Sequence, residues 1–103
     1  MAGDDATLLL NESIDYPETG RLVRINVWSV PESDAYPDGI KYRLHYGTTD
    51  GDTILRYDNA HPRTKGHERH TSDGIDPDYE YPGEYTTILK QFREEVETHE
   101  RTN

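Results

Sequence analysis

Ile40-Lys-Tyr-Arg-Leu-His-Tyr46, then Thr48-Thr-Asp-Gly-Asp52, then Thr53-Ile-Leu-Arg-Tyr-Asp58 decide the fold, because two alternating runs flank a turn signal. Successive side chains of a strand point to opposite faces, so Tyr42, Leu44 and Tyr46 share one face and Lys41, Arg43 and His45 the other. Asp50-Gly51 supplies the turn of a hairpin. Across that turn Leu55 and Tyr57 join the apolar face, whereas Ile54, Arg56 and Asp58 join the polar one. Arg43, His45, Arg56 and Asp58 are thereby predicted to be neighbours.

Working outward, Gly20 to Val30 reads as a long strand with Val23, Ile25 and Val27 on one face and Leu22, Arg24, Asn26 and Trp28 on the other. Leu8-Leu9-Leu10 is a candidate edge strand, and Pro31 to Gly39 is a turn-rich connection. On the C-terminal side, His61 to Gly66 reads as a loop, His67 to Thr71 as a short strand and Ser72 to Asp78 as another turn-rich stretch. Tyr85, Ile88, Leu89, Phe92 and Val96 recur at helical spacing behind Pro82-Gly83-Glu84, which predicts an amphipathic helix from residue 83 to about 99. The fold class is therefore α+β, an antiparallel sheet of about five strands with a C-terminal α-helix packed on one face. Residues 1–103 fit one domain with a core over about 7–99, and Met1 to Asp5 and Arg101 to Asn103 are expected to fray. No internal repeat interrupts this order.

Hydrophobic residues make up only 31% of the chain, and its mean hydropathy is −1.04. Composition alone leans toward disorder, but eight Tyr, one Trp and the alternating runs favour a folded sheet. The absence of cysteine excludes disulfides, thiolate zinc sites, iron–sulfur clusters and cysteine nucleophiles. No run approaches the roughly 18 apolar residues needed to span a bilayer, and Met1 to Leu10 has no basic n-region. A cytoplasmic protein without membrane contact is expected.

Charge is divided unevenly along the chain. Lys41 to His70 holds six of the eleven Lys/Arg, four of the five His and four of the twenty-one acids, a balance of +2 that leaves −12 for the rest. Cations gathered against an acidic background suggest an anion site, with phosphate the commonest candidate. Eleven Asp and ten Glu against three Lys resemble the acidic surfaces of proteins from salt-loving archaea. The same background counts against broad coating of DNA.

Arg43, His45, Arg56, Asp58, His61, His67, Arg69 and His70 supply the parts that metal-free RNA cleavage needs. A His or carboxylate takes the proton of the ribose 2′-OH, a second His protonates the leaving oxygen, and Arg stabilises the phosphorane-like charge. The candidate catalytic groups are His45 or Asp58 as base and His67 or His70 as acid, with Arg43 and Arg56 on the phosphate. No cofactor and no metal are expected. A metal held by Asp58, His61, His67 and His70 is the weaker reading, because His67 and His70 are three residues apart and fall on opposite faces of a regular strand. Tyr42, Tyr46 and Tyr57 could stack on bases, but beside Leu44 and Leu55 they fit a core better. The Glu94, Glu95, Glu97 and Glu100 run reads as a solvated helix face. Two non-enzymatic readings remain: a binding module for an acidic protein or a nucleic-acid backbone, and a homo-oligomer formed through an exposed strand edge.

Lys41-Tyr-Arg-Leu-His-Tyr46, Arg56-Tyr-Asp-Asn-Ala-His61 and His67-Glu-Arg-His70 together resemble the TumE-type toxins of prokaryotic toxin–antitoxin pairs. The resemblance runs from about Gly20 to the C-terminal helix, with the Arg-Tyr-Asp-Asn block its most specific part. It implies a small toxin encoded beside a helix-turn-helix antitoxin, with RNA as the expected target. Carried onto matching positions, it points to Arg43, Arg56, Asp58, Asn59, His61, His67 and His70. Pro62 to Gly66 departs from the pattern in carrying fewer His and Pro.

Overall fold

The computed structural model describes residues 6–34, 36–59 and 66–102. Among these residues six strands, β1 (Thr7–Tyr16), β2 (Arg21–Ser29), β3 (Ile40–Thr48), β4 (Thr53–Asp58), β5 (Glu68–Thr71) and β6 (Gly74–Ile75), precede one helix, α1 (Tyr85–Thr102). Each strand pairs antiparallel with the next, so spatial order equals chain order. The sixth strand, which the sequence reading left inside a turn-rich stretch, is a two-residue return that pairs Gly74 with Thr71 and Ile75 with His70.

Short turns set this order. At the β3–β4 turn Gly51 takes φ 102°, a conformation that other L-residues rarely adopt. Its N–H donates to Thr48 O at 3.1 Å, and Asp52 N–H donates to Thr48 Oγ1 at 3.1 Å. The resulting register pairs Arg43 with Asp58, Leu44 with Tyr57, His45 with Arg56 and Tyr46 with Leu55.

One face of the sheet thus collects Val23, Ile25 and Val27 from β2, Tyr42, Leu44 and Tyr46 from β3, and Leu55 and Tyr57 from β4. Ile88, Phe92 and Val96 of α1 close over it, and each of these eleven residues is at most 5% exposed. The helix seats on β3 and β4, the middle of the sheet. It begins two residues later than the sequence predicts and runs on to Thr102.

Buried tyrosine hydroxyls need partners, and the helix supplies carboxylates to those of Tyr57 and Tyr46. Tyr57 Oη donates to Glu95 and accepts from Arg69 Nε and Gln91 Nε2, each at 3.0 Å. Tyr46 Oη donates to Glu100 and lies 2.8 Å from His99 Nδ1, while Arg21 Nε reaches the same Glu100 carboxylate at 2.5 Å. Glu95 and Glu100 therefore differ from the solvated residues expected from sequence. They sit three and four positions beyond Phe92 and Val96, on the helix face that meets the sheet.

Replacing Phe92 with Ala removes a fully buried ring from the helix–sheet contact, and a loss of about 3–5 kcal/mol is expected. Denaturant unfolding should show a lower midpoint at unchanged slope. Glu94→Ala, on the exposed side of α1, should stay within about 0.5 kcal/mol of the parent.

Candidate functional site

The face of the sheet away from α1 is polar, and its side chains stand in two ladders. One runs Arg24, His45, Arg56, His70 across β2, β3, β4 and β5, and the other runs Asn26, Arg43, Asp58, Glu68 across the same strands. Directly paired residues of an antiparallel sheet project to the same side. With neighbouring strands about 4.8 Å apart, each ladder spans roughly 14 Å.

Arg56 is the hub of the β4–β5 half. Its Nε lies 2.8 Å from Oδ2 of Asp58, which is 5% exposed, and its Nη2 lies 3.2 Å from His70 Nε2. That imidazole nitrogen is also 2.9 Å from Glu68 Oε1. One nitrogen is thus shared between a carboxylate that can only accept and a guanidinium that can only donate. With a hydrogen on Nε2 it bonds Glu68, and without one it can accept from Arg56.

His45 occupies the neighbouring rung. Its Nε2 is 3.3 Å from Thr53 Oγ1. Its pKa is lowered from the ordinary 6.5 first by burial, then by the charges of Arg43, Arg56 and Arg24. The ring is therefore neutral at pH 7 and able to take a proton. Gly47, two residues on and on the same face, leaves it room, since a Cβ there would lie 2.9 Å from the ring and 2.2 Å from the Asp52 carbonyl oxygen. Arg43 is exposed and makes no ion pair among the described residues. Lys41, farther along β3, sits 5.3 Å from the Trp28 ring.

The remaining sequence candidates lie elsewhere. Arg69 pairs with Tyr57 and so projects to the helix side, where it bonds Asp76 at 2.9 Å and Glu95 at 2.6 Å. His67 is on that side too, its Nδ1 2.8 Å from Tyr42 Oη and its ring stacked on Tyr81 with centroids 3.6 Å apart. Asn59 is buried and engaged with backbone, its Oδ1 accepting from Tyr42 N–H at 2.9 Å and its Nδ2 donating to Ile40 O at 2.8 Å. His61 lies outside the described residues. His67 and His70 are thus separated, and the metal set considered from sequence does not assemble from them. Asp58, Glu68 and His70 do bring ligand atoms within 4.8 Å of one another. The Arg56 guanidinium lies against two of the three, and a metal ion there would meet its repulsion at close range.

Sequence reasoning overlooked Arg24, Asn26 and Glu68 as members of this face. The β2 alternation had put Arg24 and Asn26 together, but only the β2–β3 register sets them opposite His45 and Arg43. Chemically, the face offers a neutral imidazole, a central cation and a second imidazole in one row, with an exposed arginine beside them.

A family model described as toxin TumE matches residues 3–100 of the chain. No curated protein and no solved structure matches it.

The depressed His45 pKa has a measurable sign. The unfolded chain binds the His45 proton more readily than the folded one, so folding stability falls as pH drops from about 6.5 through the lower folded value. NMR titration of the imidazole should give a midpoint below 6.5, and Arg43→Gln should raise it. A midpoint at or above 6.5 would contradict the electrostatic arrangement.

Proposed function

The chain belongs to the TumE toxin family, the toxin component of a toxin–antitoxin pair, and from that premise we propose that it is a small, metal-independent endoribonuclease working on its open Arg/His face. The observation that carries this reading is the row His45, Arg56, His70 on three adjacent strands. Neighbouring strands put the two histidines on either side of the arginine, roughly 10 Å apart at the backbone. A phosphodiester held by Arg56 then has one imidazole toward the attacking oxygen and the other toward the leaving oxygen.

In this reading neutral His45 accepts the proton of the 2′-OH as that oxygen bonds to phosphorus. The bond from phosphorus to the 5′-oxygen breaks, and His70 gives that oxygen a proton from Nε2. The products are a 2′,3′-cyclic phosphate and a 5′-hydroxyl, with no water consumed. His70, now without a hydrogen on Nε2, can accept from Arg56 instead of donating to Glu68, an exchange of partners that needs little movement. Arg56 and Arg43 stabilise the charge on the non-bridging oxygens. Asp58 orients Arg56. The partner in this reading is a helix-turn-helix antitoxin.

Cleavage of end-labelled single-stranded RNA in EDTA tests the proposal. Wild type should cut, and Arg56→Ala and His70→Ala should each lose on the order of a hundredfold or more while far-UV circular dichroism is retained. Intact RNA in every lane, or full activity in both variants, would overturn it. A binding module would instead show salt-dependent affinity that declines gradually with each substitution and no cleavage.

A further inference from the structure

The two halves of the open face differ in charge. On β4 and β5, Arg56 stands among Asp58 and Glu68, so its charge is largely offset. On β2 and β3, Arg24, Asn26, Arg43 and His45 line a shallow depression of about 270 Å³ that has no carboxylate in its wall. The four form a block of two cross-strand pairs, Arg24 with His45 and Asn26 with Arg43.

The groups in this block are available to a ligand. Arg24 Nη1 reaches Asp15 Oδ1 at 3.1 Å, but the two side chains are 42% and 70% exposed. Such a surface pair contributes at most about 1 kcal/mol and yields readily to a better anion. Arg43 has no ion pair among the described residues. Asn26 Nδ2 donates to Asn11 Oδ1 at 3.0 Å, which uses one of its two amide hydrogens and leaves the other for a ligand. Two guanidiniums and an amide around an acid-free depression match the tetrahedral oxygens of a phosphate.

We infer that Arg24 and Asn26, together with Arg43 where it stands between the two phosphates, form a second phosphate subsite, which holds the nucleotide next to the scissile linkage. The inference rests on the ribonuclease reading for which linkage is scissile, but the subsite itself is a statement about binding. The middle of the block lies roughly 7 Å from β4, one and a half strand spacings, so the strand of the nucleic acid runs across the sheet and not along one β-strand. The substrate class is accordingly a single-stranded polynucleotide contacted at two or more phosphates, in place of a mononucleotide or a lone phosphodiester.

The test uses the full chain and a fluorescein-labelled single-stranded oligodeoxyribonucleotide, which lacks the 2′-OH and survives the proposed chemistry. Anisotropy titrations over a series of salt concentrations should show Arg24→Ala binding several-fold more weakly. Its slope of log affinity against log salt should be shallower by about 0.7, the loss of one phosphate contact on a single strand. Asn26→Asp, which adds a carboxylate to the block, should weaken binding further. Arg101→Ala, at the far end of α1, should leave the slope unchanged. Wild-type affinity and slope in Arg24→Ala and Asn26→Asp would overturn the subsite, even if RNA is cleaved. Weakened binding in both, with no cleavage by wild type, would retain the subsite and reject the nuclease.

Discussion

The register of β3 against its two neighbours is the constraint on which everything else depends. A slip of one residue would exchange the faces of the strand, sending Tyr42, Leu44 and Tyr46 into water and Arg43 and His45 under the helix. Several features hold the register. The Gly51 turn fixes one end of the β3–β4 hairpin. At the other end the Asn59 amide grips the backbone of Ile40 and Tyr42 just beyond the last ladder pair. Between them, Phe92 and Ile88 cover only one face, so the apolar side chains have one place to go. The sharing of His45, Arg56 and His70 on one row is a by-product of the same pairing that builds the core.

The helix side and the open side divide the charged residues by different rules. Under the helix, among the described residues, the arginines are paired with acids: Arg69 meets Glu95 and Asp76, and Arg21 meets Glu100. These pairs brace tyrosine hydroxyls that would otherwise be buried without partners. On the open side, among the described residues, Arg56 is bound to the buried Asp58, and Arg43 faces solvent. Tying Arg56 to a buried acid while leaving Arg43 exposed combines a braced cation with one open to solvent, which suits a site where one group must be placed and another must meet what arrives.

Strands with a strong apolar rhythm were legible from sequence. Tyr42, Leu44, Tyr46, Leu55 and Tyr57 sort themselves by alternation, and Arg43, His45, Arg56 and Asp58 follow on the opposite parity. The stripe of α1 was legible for the same reason. Glu68-Arg-His-Thr71 has no apolar residue to set its parity, so nothing in those four letters says that Arg69 turns inward and His70 outward. Their directions come from pairing with Tyr57 and Arg56. Asn59 was readable as a polar residue beside an active-looking block, but its capping of β3 depends on a strand 17 residues away in sequence. Glu95 and Glu100 were misread because a run of glutamates looks solvated until the tyrosines beneath the helix are known.

The uneven charge of the chain also shapes how a partner arrives. At low ionic strength, where the Debye length is about 30 Å at 0.01 M, an anionic partner still some way off senses a body of net charge −10 and is repelled. Only close to the open face does the local attraction of its arginines outweigh that repulsion. Encounter is therefore slow and selective by direction of approach, and moderate salt hastens it by screening the distant repulsion before it weakens the close contacts. A surface of this kind discriminates through orientation at the moment of collision.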